Sequence, residues 1–412
     1  MKYLKSIISF AMYLGLFVLS VNLMTAELSF AEESQEDPIR FGILASFSGE
    51  MAGFGKYAYN AANLATKEIN EAGGPLDRKI ELYREDDESS VEQGIRGCRK
   101  LITQNEVIAI NGPVSDVITA SMNYAKESEV VIASPYAGST KLDKLGGKYQ
   151  FRTCPSDSFD GKASAQMLMD EGYQRIAIMH VNDEGSTSVA ESCEEAFKEL
   201  GGEVVSKVSV SGGKSRYLSE LKKAFKDDPE ILFLAAGQDT GPTIIKNWNQ
   251  RGYGENMMVT ADLAITEFFD LVSPEVAEGF LGEMPITQKD TEEYERFAKK
   301  WEDAYDSKAS GAYQANAYDA QIILALAIEA AGEASGEAIA ENYRAVASPP
   351  GKEVISFEQG IKELRKGNEI NYQGASGPCD FDKYGNVMGS YALLEAKDGE
   401  WVERRFYPAE DL

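Results

Sequence analysis

IRFGILASFSGEMAGFGKYAYNAANLATKEINEAGG, residues 39–74, reads as a strand, a turn and a helix in one pass. IRFGILA (39–45) is an apolar run of strand length. From Lys56 to Ala72, Ala58, Ala61, Ala62, Ala65 and Ile69 recur at three and four, while Lys67, Glu68 and Glu71 fall elsewhere. That is the apolar stripe of a helix, and Gly73-Gly74 stops it. The unit then repeats through KIELYRE (79–85), a helical stretch over 93–102, VIAING (107–112) and VVIASP (130–135). Strands alternating with helical periods predict a parallel sheet covered by helices on both faces, an α/β class.

After Phe151 a second series of the same build begins. It runs through a helix over 157–171, RIAIMHV (175–181), a helix in ESCEEAFKEL and EVVSKVSV (203–210). A helix over 217–225, ILFLAAG (231–237), a helix around 244–250, MMVTA (257–261) and GFLGEMP (279–285) complete it. Residues 290–347 are helical and Ala-rich, and the Gly-punctuated region from Asn371 alternates at period two, like hairpin strands. Two doubly wound lobes without a flexible tether imply several short crossings, with a small-ligand cleft between the lobes.

With 412 residues and a net charge of −26, the surface repels phosphate backbones and anionic headgroups, so nucleic acid is excluded as a partner. The lone histidine, His180, and cysteines 98, 154, 193 and 379 form no CxxC or HExxH pattern, so no zinc site is expected. The cysteine spacing leaves all three disulfide connectivities open. Lys2 and Lys5 precede an apolar run over 7–26, and Ser29-Phe30-Ala31 offers small residues for cleavage. This predicts a signal peptide over 1–31, export, and no stable membrane insertion after cleavage.

No catalytic motif in the chain is complete. Gly53-Phe54-Gly55-Lys56-Tyr57-Ala58 fits G-x-G-x-x-A, but Ser46–Ala52 intervenes between the strand and the first glycine. Ser211-Gly-Gly-Lys-Ser215 imitates the end of a phosphate loop, with Val208 where glycine is required. No G-x-S-x-G occurs. The run Glu85-Asp86-Asp87-Glu88 can bind a cation, although charges at a strand-to-helix turn more often cap or face solvent. No catalytic residue, metal or cofactor is expected.

Six stretches in order, from Ile39 to Tyr391, resemble the periplasmic leucine/isoleucine/valine-binding protein family, the type I substrate-binding proteins of ABC importers. They are FGILASFSGEMAGFGKYAYNAANLATKEINEAGG, YREDDES, NGPVSDVITA with VVIASPYAGSTKL, FRTCPSDSFDGKA, RIAIMHVNDEGSTSVAE and GASGPCDFDKYGNV. The resemblance implies a lobe formed by 38–153 plus 286–378 and a second formed by 154–285 plus 379–412. It places Phe54 against the ligand and makes Ser115 in GPVSD the carboxylate-binding serine, a role chemically consistent with a hydroxyl at a strand-to-helix turn. A plain N-cap is the bland alternative for Ser115.

Tyr136, Ala137 and Gly138 match a stretch whose backbone holds the ligand. Gly138 stands where the family often has Thr, leaving Ser139 as the nearest replacement, and Tyr136 stands where branched-chain binders have a small residue. Asp262 matches the acidic partner of the ligand ammonium, with a helix N-cap for 264–272 as the alternative. Glu184 falls where the family carries an aromatic, and a second acid there favours a polar or basic ligand side chain. Gln238 and Asp239 match a further contact loop. The resemblance thus implies a non-enzymatic periplasmic receptor that delivers a small amino acid or related carboxylate to an ABC permease and ATPase complex. A ligand-sensing module of a signalling system is the alternative, amides or other small carboxylates are alternative ligands, and an exported oxidoreductase or hydrolase is the third class.

Overall fold

The computed structural model describes residues 37–309 and 311–412. The expected signal peptide, 1–31, lies outside the described residues. β1 (Ile39–Ala45) leads into α1 (Ala52–Glu71), followed by β2 (Ile80–Asp86), α2 (Val91–Thr103), β3 (Ala109–Asn111), α3 (Ser115–Glu127), β4 (Val131–Ser134) and β5 (Gln150–Arg152). The five strands form one parallel sheet in the order β2-β1-β3-β4-β5. Helix α1 starts earlier than its apolar stripe does, taking Gly53-Phe54-Gly55 into its first turn. A Cβ on Gly55 would lie 1.7 Å from the Ser46 carbonyl oxygen. The glycine therefore lets the helix press against the loop after β1, and the G-x-G pattern has a packing cause.

The chain then builds α4 (Asp157–Asp170), β6 (Arg175–Val181), α5 (Glu184–Glu199), β7 (Glu203–Val210), α6 (Leu218–Ala224), β8 (Ile231–Ala235), α7 (Gly241–Arg251), β9 (Met257–Val259) and β10 (Leu281–Ile286). The helix expected over 264–272 shrinks to a single turn, Phe268–Leu271, so Asp262 is not its N-cap. After β10 the chain adds α8 (Glu292–Tyr305), α9 (Gln314–Ala331), α10 (Gly336–Asn342) and α11 (Phe357–Leu364). β11 (Lys352–Val354), β12 (Ile370–Gly374) and β13 (Gly377–Pro378) form a small sheet. The hairpin β14 (Ser390–Lys397) and β15 (Glu400–Tyr407) then extends the second sheet, whose order is β15-β14-β10-β9-β8-β6-β7. β6 to β10 pair in parallel, and β14 joins β10 antiparallel.

Each lobe has its own core. Helix α9 is buried on nearly all sides, with Ala317, Ala320, Ile322 to Ile328 and the α1 alanines Ala58, Ala61, Ala62 and Ala65 in one cluster. Small residues on α1 and α9 allow that close approach, which explains the Ala-rich composition. Cys379, Phe381 and Val387 also belong to this first core. The return to the second lobe expected at 379 therefore falls later, just before Ser390. The cause is local: the Arg152 backbone N–H donates to Gly385 O at 3.0 Å and Asn386 Nδ2 donates to Asp143 O at 2.9 Å, pinning this turn to the first lobe. Residues 153–155, 285–287 and 387–390 border one small cavity, so the crossings run side by side. The four cysteines are buried thiols without a disulfide, spread over separate packing regions, which answers the question their spacing left open.

Candidate functional site

In both sheets the strand order reverses direction once, between β1 and β3 and between β6 and β8. Loops at the carboxyl ends of such strands diverge and leave a crevice. Here the two crevices face each other and enclose a cavity of about 240 Å³. At ~30 Å³ per water this is the room of about eight waters, enough for one small solute. The first lobe contributes Glu50 and Phe54 after β1, Ser115 after β3, and Tyr136 and Gly138 after β4. The second lobe contributes Asp183 after β6, Gly237 after β8, and Thr260 to Asp262 after β9.

One wall is aromatic. Phe54 stacks on Tyr136 at 6.3 Å and meets Tyr313 edge-on at 5.4 Å. Tyr313 holds a left-handed backbone (φ 61°) at the start of α9, which swings its ring into the cleft. Opposite the wall, α3 begins at Ser115 with no side-chain cap, leaving its first N–H groups for an anion. Ser115 Oγ accepts from Ser139 N at 3.2 Å, and its hydroxyl proton remains available to the cavity. The neighbouring loop is fixed from behind by Arg152, whose fully buried guanidinium donates to the carbonyls of Ala137, Gly138 and Ser139 at 3.2, 2.9 and 3.0 Å. It also pairs with Asp143.

The lining is strongly acidic. Glu50, Asp116, Asp157, Asp160, Asp183 and Asp262 border the cavity, and no Lys, Arg or His does among the described residues. Burial, aided by neighbouring carboxylates, pushes Asp262 up to about 8 and Asp183 up to about 6. His180 lies outside the lining, with Nδ1 3.0 Å from Val181 O, so the one imidazole is withdrawn from the site.

The structure brings Phe54, Ser115, Tyr136, Gly138 and Asp262 together around the cavity, and it places the other three expected residues differently. Ala137 does not line it: its N–H donates to Ser134 Oγ and its carbonyl accepts from Arg152. Gln238 stands at the rim over Gly53, where an added Cβ would meet its Nε2 at 2.5 Å. Glu184 is turned to the mouth, accepting from Thr119 Oγ1 at 2.9 Å and pairing with Lys141 at 3.2 Å. Its neighbour Asp183 faces inward instead, because Asp183 is the N-cap of α5 and accepts from Ser186 N at 2.7 Å. Sequence reading missed Glu50, Asp157, Asp160, Asp183 and Tyr313. A signal existed for Asp157 and Asp160, whose i, i+3 spacing on one helix places both on one face.

The acidic run at 85–88 serves the loop after β1. Asp86 Oδ1 accepts from Phe47 N at 2.9 Å, Asp87 accepts from Ser46 Oγ, and Glu85 pairs with Lys100. Asp86 and Asp87 thus serve as turn acceptors and Glu85 as a partner to the last turn of α2.

The cleft is closed by polar contacts between lobes. Glu50 accepts from the backbone N–H groups of Asp239 and Thr240 at 3.0 and 3.1 Å and from Thr240 Oγ1, capping the start of α7 from the other lobe. Tyr57 Oη donates to Glu267 at 2.6 Å, and Glu184 N donates to Asp116 at 3.2 Å. Hydrogen bonds to a charged acceptor are worth ~1.5–3 kcal/mol each before solvent competes. Glu50→Ala is expected to raise the ligand dissociation rate roughly tenfold, because it loosens only the closed form. Stopped-flow dissociation checks this, and an unchanged rate would remove Glu50 from the closing machinery.

Two α/β lobes joined by adjacent crossings around one shared cleft define a bilobal solute-binding architecture. The periplasmic binding protein family model matches residues 38–400, and the chain belongs to that family, alongside the leucine/isoleucine/valine-binding proteins it was expected to resemble. It is 27% identical over 327 residues to the Leu/Ile/Val-binding protein BraC3 of Rhizobium johnstonii, covering 77% of this chain and 86% of that protein. It is 23% identical over 373 residues to the chemotactic signal transduction system substrate-binding protein BasB of Halobacterium salinarum, covering 88% of this chain and 87% of that one. The crystal structure of the leucine-binding protein LivK of Thermotoga maritima superposes with a TM-score of 0.78 at 22% identity, covering 91% of this chain and 100% of that one, which establishes the type I periplasmic binding fold. Among the described residues no helix is long and apolar enough to cross a membrane.

Proposed function

We propose that the chain is a periplasmic receptor that encloses a small α-amino acid between its lobes and presents it to the permease and ATPase of an ABC importer. One observation carries the reading: the uncapped start of α3 with Ser115 and the carboxyl group of Asp262 open on the same cavity. A zwitterion needs one anion site and one cation site, and these groups supply both. Tyr136 Oη and Thr260 Oγ1 line the same cavity, buried and without a hydrogen-bond partner, and await a polar ligand. Phe54, Tyr136 and Gly138 shape the pocket around it. Closure onto the ligand is the event a permease reads, because the contacts across the mouth exist only in the closed form. The ligand is bound and released unchanged, which is in keeping with the names of the relatives.

A thermal-shift screen against the twenty amino acids tests the reading. A ligand at a hundredfold excess over its Kd adds about 2.7 kcal/mol to stability. Asp262→Asn is expected to cost about 2 kcal/mol of affinity, roughly thirtyfold, by leaving the ligand ammonium without its ionic acceptor. Binding only of solutes that lack an ammonium group would end the assignment of Asp262. The relationship to BasB favours a second reading, in which the closed form signals to a receptor. ATP-dependent uptake by membranes carrying a partner permease and ATPase, with the ligand-loaded protein added, separates import from sensing.

A further inference from the structure

The lining carboxylates divide into two sets. Glu50, Asp116 and Asp183 are engaged by backbone N–H groups, at Asp239 and Thr240, at Glu184 and at Ser186 respectively. Asp157, Asp160 and Asp262 are not held in this way, and behind Asp160 stands Glu283 of β10, fully buried. Asp157 Oδ2 is buried without a hydrogen-bond partner, and the Asp160 carboxyl has the Glu283 carboxyl as its neighbour, two acids that can bond each other only by sharing a proton. Asp157 and Asp160 are buried to more than nine-tenths, sit in the first turn of α4 and line the cavity. Gly138 makes room for this arrangement, since a Cβ there would fall 1.8 Å from Asp157 Oδ1.

One ligand ammonium, paired with Asp262, leaves the α4 acids uncompensated. Buried carboxyl groups facing each other in this way are strongly unfavourable unless one holds a proton or a cation lies between them. Burial pushes both Asp160 and Glu283 up, with Asp262 adding to the rise of each, and the hydrogen bond between the two carboxyl groups needs a proton that a cationic ligand would displace. A neutral aliphatic side chain would instead bury these groups without a partner.

Resting on the amino-acid reading above, we propose that the ligand is a basic α-amino acid, whose side-chain ammonium or guanidinium lies against Asp157 and Asp160 with Glu283 behind them. The carboxylate then meets Ser115 and the α3 start, the α-ammonium meets Asp262, and the second cation meets the α4 acids. This departs from the branched-chain ligands for which relatives are named.

Titration calorimetry of the mature chain with L-lysine, L-arginine, L-leucine, L-norleucine and a linear diamine tests it. Lysine or arginine is expected to bind at least ~100-fold more tightly than leucine or norleucine, the latter being lysine without its charge. Glu283→Gln and Asp160→Asn are expected to weaken the basic ligand by roughly tenfold or more and to narrow its margin over leucine. The melting temperature of each ligand-free variant reports whether it folds. Leucine or norleucine binding as tightly as lysine and arginine would overturn the proposal while leaving the amino-acid reading intact. Equal binding of the diamine would overturn the carboxylate's part in it, and binding of no amino acid would overturn the proposal and the reading together.

Discussion

Arg152→Met is expected to lower the stability of the chain by about 3–5 kcal/mol and to abolish ligand binding in the molecules that still fold. The guanidinium is fully buried at the end of β5, and three successive carbonyls, Ala137, Gly138 and Ser139, depend on it. Arg152 Nε also donates to Asn386 Oδ1 at 2.8 Å, tying the first lobe to the turn that precedes the final crossing. Methionine fills similar volume but donates nothing, so buried carbonyl oxygens lose their partners and Asp143 loses its counter-charge. The 136–139 loop carries the wall tyrosine and the Gly138 clearance for Asp157, so the site is lost with it. Urea unfolding with and without ligand measures both effects. A variant within about 1 kcal/mol of the parent would show that the clamp is dispensable.

The second large effect is a dependence of affinity on pH. In the ligand-free protein burial holds Asp262 near 8, with Asp183, Asp157 and Glu50 facing it and reinforcing the shift. Asp160, in the cavity wall, and Glu283, buried behind it, also feel the Asp262 charge and are themselves raised. The ligand ammonium requires the ionised form of Asp262, so binding expels the proton, and affinity rises with pH. Each expelled proton gives about tenfold per pH unit well below the pKa, so roughly fiftyfold is expected between pH 6 and 8, with a plateau about one unit higher. Stability of the empty protein changes with the opposite sign. Carboxyl groups whose folded values exceed the unfolded 3.8 contribute stability that is full below that value and is lost as pH rises towards 8. The thermal shift produced by ligand should therefore widen from pH 5 to 8. Calorimetry in buffers of different ionisation enthalpy detects the released proton directly. An affinity independent of pH would mean that Asp262 is already ionised before the ligand arrives.

Particular residues show where sequence reasoning reached the site and where it stopped. Phe54 and Ser115 are legible through the family resemblance, and the structure puts each at the start of a helix after a strand, where the carboxyl edge of a parallel sheet opens into the cleft. Glu184 and Asp183 are adjacent acids in the same motif, and only the helix register separates them. Asp183 as N-cap turns inward, while Glu184, one residue on, points to the mouth. Tyr313 carries no local signal, since its ring enters the site through a left-handed backbone just before α9, far along the chain from Phe54. Glu283 reads as one polar residue in an apolar strand, and its meaning depends on Asp160, which a different element supplies.

The amino-acid sequence by itself determined the alternating strands and helices, hence two doubly wound lobes and a cleft at the carboxyl ends of their sheets. It does so because hydrophobic period and glycine stops are local properties, written within a dozen residues of where they act. Tertiary structure alone decided which acids share the cavity, which are engaged by backbone N–H groups and which remain without a partner. It also decided that the chain leaves the first lobe only just before Ser390. Those outcomes depend on burial and on pairings between residues far apart in the chain, such as Glu50 with Thr240, where the energy belongs to neither residue until both lobes are in place.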